Sequence, residues 1–287
     1  MNLSDHHSLI ESQHQLLSKL LADEPALSEL KFQGKTLAEI STPVGLNSMK
    51  LAASTQTYDK VALNHGIGRL RLDGYSEEII WDYHGTAPAI IENDEITYTL
   101  ESHAEYIIAE VLACTNETTK FPDSDSLTNP NGLWSFRSFF EKSGLPNQKI
   151  QSICPKTTKI IEALNPNLTF GFAFISVLDP NTTIAAHRGS TSLRQRYHLG
   201  IKIPSVGTSR IRIGSTWKNW SEGKAFGFND SLEHEVEHWS DEHRVVLILD
   251  TWAAHIPPAV VDAIKRNPKV LQLGVMFRES DPTALND

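Results

Sequence analysis

Cysteine is nearly absent from this sequence: Cys114 and Cys154 are the only two in a chain of 287 residues. Two are too few for a disulfide scaffold at this size, so the fold must rest on a packed core, with one bridge as the most cysteine could add. Basic charge is also in deficit. Lys and Arg total 26 against 35 Asp and Glu, a formal net charge of −9. That balance disfavours a nonspecific hold on nucleic acid or on an anionic membrane, because both need a basic field. It leaves room for a small anionic ligand held by a few local arginines. No apolar run reaches about 18 residues, so no membrane-spanning helix is expected. Residues 1–11 are polar and lack the apolar centre of a signal peptide, which makes a cytoplasmic location the expectation.

What is present is ordinary for a soluble globular protein, with 40% hydrophobic and 21% charged residues. Ser4 can cap a helix running to about residue 22, with Leu9, Ile10, Leu16, Leu17, Leu20 and Leu21 as its apolar stripe. Ser102 and Glu105 have capping-box spacing ahead of a second helix carrying Ile107, Ile108, Val111 and Leu112. Strand-like pieces at 69–72 and 89–91 lie between them. Residues 115–132, rich in Thr, Asn, Asp, Ser and Pro, read as a loop or linker.

From about residue 168 the pattern turns to short β-rich segments at 169–178, 196–203, 210–214, 225–228, 244–250 and 270–277. Strands at that spacing point to a β-sandwich or barrel. Pro257 and Pro258 open a short helix over 259–265. No internal repeat is visible. The expectation is a mainly β chain, with a helical N-terminal layer on one β-core. Residues 1–131 would form a mixed α/β region that offers a candidate substrate-binding part, and 132–287 the β-domain.

Twelve histidines are present. His6, His7 and His14 fall on or near the polar face of the first helix, where solvation explains them. His234-Glu235-Val236-Glu237-His238 satisfies the H-E-x-x-H pattern of zinc proteases, which requires a helix so that both imidazoles share one face. Here the pattern follows the turn formers of 227–231 and precedes the apolar run Val245–Leu249. On a strand His234 and His238 would stand about 13 Å apart, too far for one ion. The alternative pair is His187 with His234, two strand ends that a barrel can bring to one mouth.

The stretch from Ser176 to Trp252 resembles the aspartyl/asparaginyl β-hydroxylase family. The similarity is carried by His187-Arg188-Gly189-Ser190-Thr191, Arg196-Tyr197-His198-Leu199-Gly200, Trp220-Ser221-Glu222-Gly223-Lys224, the segment Phe228 to Val236, Arg244, and Asp250-Thr251-Trp252. A weaker similarity extends upstream through Trp134 and Cys154-Pro155-Lys156-Thr157. The resemblance implies a double-stranded β-helix (jelly-roll, cupin-like), with Fe(II) on His187 and His234. It implies 2-oxoglutarate, used with dioxygen, on Ser176, Arg196, His198, Arg244 and Trp134. The implied reaction hydroxylates an unactivated C–H while 2-oxoglutarate decarboxylates to succinate.

Residue chemistry supports these roles. An arginine fork suits a carboxylate, and Arg244 opens an otherwise apolar strand where an unpaired guanidinium would be costly. The competing reading for Arg244 is an ion pair with an acid such as Asp230 or Asp241. Arg196 and His198 share one strand face. Trp134 could equally be a packing aromatic.

Many iron oxygenases place an acidic ligand two residues after the first histidine; here that residue is Gly189. A glycine there also occurs in halogenases, so halogenation is the alternative, and a metal-free binding module is a third reading. The wider pattern favours hydroxylation. Without a helical repeat in 1–131, a small molecule or short peptide is the expected substrate, whose carboxylate Arg188 or Arg137 could meet.

Overall fold

A computed structural model describes residues 14–15, 17–32, 34–42, 81–83, 85, 87–121, 127–140, 147–164, 173–189, 191–267 and 270. The chain divides into two units, Met1–Thr86 with Gly189–Leu193 and Ala254–Asp287, and Ala87–Arg188 with Arg194–Ala253. The boundary expected near residue 131 falls inside the second unit.

In the first unit, α1 (residues 17–23) buries Leu17, and a hairpin of β1 (Lys31–Phe32) and β2 (Lys35–Thr36) follows. Thr36 and Glu39 form a capping box that starts α2 (Leu37–Ile40), and β3 (Trp81–Asp82) pairs with β1. The expected cap Ser4, His6, His7 and the strand at 69–72 lie outside the described residues.

The second unit begins with β4 (Ile90–Ile91), α3 (Glu95–Ser102) and α4 (Ala104–Ala113). The capping box expected at Ser102 sits eight residues earlier, at Asp94 and Thr97, where each side chain accepts the other's backbone N–H at 2.8 and 2.9 Å. Ser102 already lies in the last turn of α3, so its hydroxyl donates back to the Thr99 carbonyl at 3.0 Å. α4 starts at His103 without a side-chain cap. Within the expected loop, β5 (Thr119–Lys120) adds an edge strand to β6 (Trp134–Ser138). Helices α5 (Gln148–Ile153) and α6 (Pro155–Leu164) follow.

Eight strands complete the unit: β7 (Ala173–Leu178), β8 (Thr183–His187), β9 (Arg194–Lys202), β10 (Thr208–Ile213), β11 (Thr216–Asn219), β12 (Ala225–Phe228), β13 (His234–Trp239) and β14 (Arg244–Trp252). They pair antiparallel in two sheets, a seven-stranded one ordered β4-β12-β9-β14-β7-β6-β5 and a four-stranded one ordered β11-β10-β13-β8. This is a double-stranded β-helix, the jelly-roll of cupin-like proteins. In the first unit, α7 (Pro258–Arg266) covers the short helical turn Pro25–Leu27, and Arg266 clamps Glu24 with two contacts of 2.7 Å. The strand expected over 270–277 lies outside the described residues apart from Val270.

Alternation splits the core in two. On β14, Val245, Leu247 and Leu249 face Ile107, Val111, Ile150 and Ile161 of the helices, whereas Val246 and Ile248 join Phe174, Ile211, Phe228 and Val236 between the sheets. Both faces of the large sheet are therefore covered, which is why β14 reads as a nearly continuous apolar run. The helical layer comes from residues 95–113 and 148–164, on both sides of the expected boundary.

Cys114 and Cys154 meet within that layer as buried free thiols, their Sγ atoms 2.8 Å apart. Burial is the main influence that pushes both thiols up, so little reactive thiolate forms. In the native protein neither should react with a water-soluble aromatic disulfide, and both should react in guanidinium. Rapid labelling without denaturant would contradict this packing.

Candidate active site

His187 closes β8 and His234 opens β13, and the two are directly opposite in register. Their rings lie 4.2 Å apart between centroids, and both residues are buried. Each imidazole contacts a backbone carbonyl through Nδ1, His187 that of Ala185 and His234 that of Leu232, both at 2.8 Å. A carbonyl can only accept, so Nδ1 carries a proton, and the neutral ring offers its lone pair at Nε2. Fixing the tautomer through the non-ligating nitrogen is how metal-bound histidines are commonly oriented.

His238 is excluded from this pair. β13 is a strand, so the H-E-x-x-H pattern does not bring its histidines together, and His238 Nε2 instead meets the Glu242 carbonyl at 2.8 Å. Among the described residues no cluster of three or more His, Cys, Asp or Glu side chains could hold a metal. The pair with Gly189 therefore offers two imidazoles. That set fits a first-row divalent ion that takes its remaining ligands from small molecules.

A buried charge network lies beside the pair. Arg194 donates from Nε to Asp230 at 2.8 Å, and its terminal nitrogen Nη2 pairs with the same carboxylate. Arg196 donates Nε and Nη2 to Asp250 at 2.7 and 2.8 Å, and its Nη1 lies 2.9 Å from Asp230 Oδ1. Burial opposes ionisation of Asp230, but Arg194 and then Arg196 outweigh it and hold the carboxyl well below the usual range. Asp230 Oδ1 also lies 3.7 Å from His234 Nε2. Arg196 was expected to serve a cosubstrate; its Nε and Nη2 are committed to Asp250, and three N–H hydrogens on its terminal nitrogens remain, with Nη1 in ion-pair contact with Asp230.

The competing reading of Arg244, an ion pair with Asp230 or Asp241, does not hold in the structure. Arg244 is 1% exposed, and its Nε and Nη1 have no hydrogen-bond partner. Its guanidinium carbon lies 4.7 Å from the Trp220 ring centroid, and burial pushes its pKa down to about 9. On the neighbouring strand, same-face Ser176 pairs with Val246, two residues beyond Arg244. Ser176 Oγ accepts the Trp134 indole N–H at 3.0 Å, which leaves its own proton to donate. Trp134 thus supports Ser176, with its ring stacked on Phe121 at 3.8 Å.

His198, opposite Ile248, accepts the Trp220 indole N–H on Nδ1 at 3.2 Å, and its buried Nε2 has no partner. Burial, then Arg244 and Arg196, hold its pKa well below the ordinary histidine value, so the ring is neutral. Arg244, Ser176 and His198 thus share the inner face, and no hydrogen bond joins any of the three side chains to a carboxylate. Arg137 is not among them: it pairs with Ile175 of the helix-covered face, and its Nε is buried there. Arg188 is half-buried, one residue beyond His187.

The sequence marked Trp220 and Asp250 only as parts of motifs, and no motif marked Arg194. The alternation Arg194, Arg196, His198 along one face was the available signal for a buried polar row.

The fold is thus a jelly-roll of the cupin-like class, and its inner face carries the paired imidazoles together with Arg244, Ser176 and His198. Residues 101–254 match the family described as aspartyl/asparaginyl beta-hydroxylase, and the chain belongs to that family. It is 32% identical to human aspartyl/asparaginyl beta-hydroxylase over 168 residues, covering 57% of this chain and 22% of that protein. It is 34% identical to the ornithine lipid ester-linked acyl 2-hydroxylase of Rhizobium tropici over 108 residues, 37% of each chain. A solved prolyl-4-hydroxylase from Pseudomonas putida superposes with a TM-score of 0.35 at 12% identity, over 55% of this chain and 98% of that one. The chain thus spans about a fifth of the human relative and little more than a third of the bacterial one. Among the described residues no helix is long and apolar enough to cross a membrane.

Proposed function

We propose that this protein is an Fe(II)- and 2-oxoglutarate-dependent oxygenase that hydroxylates an unactivated C–H of an amino-acid-derived small molecule or short peptide. The observation that carries the reading is Arg244, a buried guanidinium with two unpartnered nitrogens beside a serine and a histidine that also have protons to give. A buried cation without a counter-ion costs several kcal/mol unless an anion supplies one. The distal carboxylate of 2-oxoglutarate would do so, and an arginine fork matches its two oxygens.

His187 and His234 would hold iron(II) through Nε2, and the metal, when bound, supplies dioxygen activation. The chain's own residues bind, orient and exclude water. Carbonyls of Ala185 and Leu232 fix the two imidazoles, and Phe228 lies between His198 and His234, 5.1 and 5.4 Å from their rings. Asp230 balances the arginines next to the metal side.

The relatives' names span aspartyl and asparaginyl groups and the acyl chain of a lipid, so the family's substrates differ widely. Anaerobic addition of iron(II) and 2-oxoglutarate should give the weak visible charge-transfer absorption of the chelate, and His187→Ala or His234→Ala should abolish it. An unchanged absorption in either variant would overturn the site. A chlorinated product in chloride-containing buffer would replace hydroxylation with halogenation.

A further inference from the structure

His198 can present either a proton or a lone pair to a ligand, depending on which nitrogen is protonated. An anion accepts from the first and is repelled by the second. Burial and the neighbouring arginines keep the ring neutral, so the tautomer alone decides. One contact sets it: the Trp220 indole N–H, which can only donate, points at His198 Nδ1 at 3.2 Å. The two rings are nearly parallel, 18° apart, and both residues are buried. The same indole covers the Arg244 guanidinium at 4.7 Å.

The backbone holds Trp220 in place. The 221–224 turn folds back onto β9, with Gly200 N donating to the Lys224 carbonyl at 3.0 Å and Gly223 N to the Gly200 carbonyl at 2.9 Å. A Cβ on Gly200 would lie 2.2 Å from the Ser221 carbonyl oxygen, so only glycine lets the turn approach this closely. Glu222 adds a hydrogen bond from Ile203 N at 2.9 Å.

We propose that Trp220 is a positioning residue: its indole N–H holds His198 in the Nε2–H tautomer, so that His198 and Arg244 present donors side by side to the cosubstrate's carboxylate. The inference rests on the 2-oxoglutarate reading given above. It accounts for a tryptophan that touches no metal ligand yet contacts both unpartnered donors.

With 15N-labelled histidine, long-range proton–nitrogen correlation should show His198 protonated at Nε2 in the ligand-free wild type. Trp220→Phe keeps a ring against Arg244 and removes only the donor. In that variant His198 should shift toward the Nδ1–H form. Anaerobic calorimetry with iron(II) should show 2-oxoglutarate bound about tenfold to a hundredfold more weakly, the usual worth of a charged hydrogen bond. In a His198→Ala background, Trp220→Phe should cause no further loss, because the tryptophan acts through the histidine.

An unchanged tautomer and affinity in Trp220→Phe, or an equal loss on the His198→Ala background, would overturn the proposal. If Trp220→Phe does not fold, the wild-type spectrum decides, since an Nδ1–H His198 there defeats it outright. A wild type with the Nε2–H tautomer that binds no 2-oxoglutarate would instead defeat the cosubstrate reading, and with it the purpose assigned to Trp220.

Discussion

Asp250→Asn is expected to destabilise the folded protein by about 3–5 kcal/mol, the range for removing one partner from a buried ion pair. Asp250 is fully buried and accepts both Nε and Nη2 of Arg196, and Arg194 Nη1 lies 3.6 Å from it. Among the described residues two arginines face two aspartates in this network, so their charges offset one another. The amide removes one negative charge, leaves Asp230 to balance both guanidinium groups, and turns an acceptor of the Arg196 fork into a donor. The readout is the denaturant midpoint at constant m-value. A change under about 1 kcal/mol would mean that water reaches the network and screens it.

Arg244→Met should move stability and binding in opposite directions. The ligand-free protein should be unchanged or more stable, because the substitution removes a buried cation whose Nε and Nη1 bond to nothing and leaves an apolar chain of similar length. Affinity for 2-oxoglutarate should fall by about 1.5–3 kcal/mol, roughly ten- to a hundredfold. A structural arginine would give the reverse, with lowered stability and unchanged binding. The sign can also be read in the wild type. The folded-state pKa of Arg244 is depressed to about 9, so above that pH the folded protein sheds a proton that the unfolded chain retains. Stability of the ligand-free protein should therefore gain as pH rises past about 9, through this group, and saturation with ligand should remove the gain.

The contrast between these two arginines shows how far a linear sequence reaches. Arg196 and Arg244 both occur in β-rich segments and both suit a carboxylate. They differ only in what the neighbouring strands place opposite them. β14 sets Asp250 against Arg196, and the turn after β12 adds Asp230. Opposite Arg244 the sheet supplies Leu178, with the Trp220 ring nearby. No local spacing encodes that difference, because the partners lie 34 and 54 positions from Arg196. Likewise, the capping spacing at Ser102 was genuine, but Asp94 begins a helix that already contains it. A local signal lost to an earlier one of the same kind.

The sequence by itself determined the period-two strands and the turn formers that keep His234-Glu235-Val236-Glu237-His238 out of a helix, which follow from local backbone preference and from the reach of a strand. The candidate pairing of His187 with His234 came from the family resemblance. The sequence also supplied Gly189, which has no side chain to offer as a third ligand to the proposed iron. Only the tertiary structure decided that Arg196 is paired with buried acids while Arg244 Nε and Nη1 have no hydrogen-bond partner, and how Trp220 faces His198. Burial and pairing depend on what strand register brings across the barrel, and register is a property of the assembled sheets.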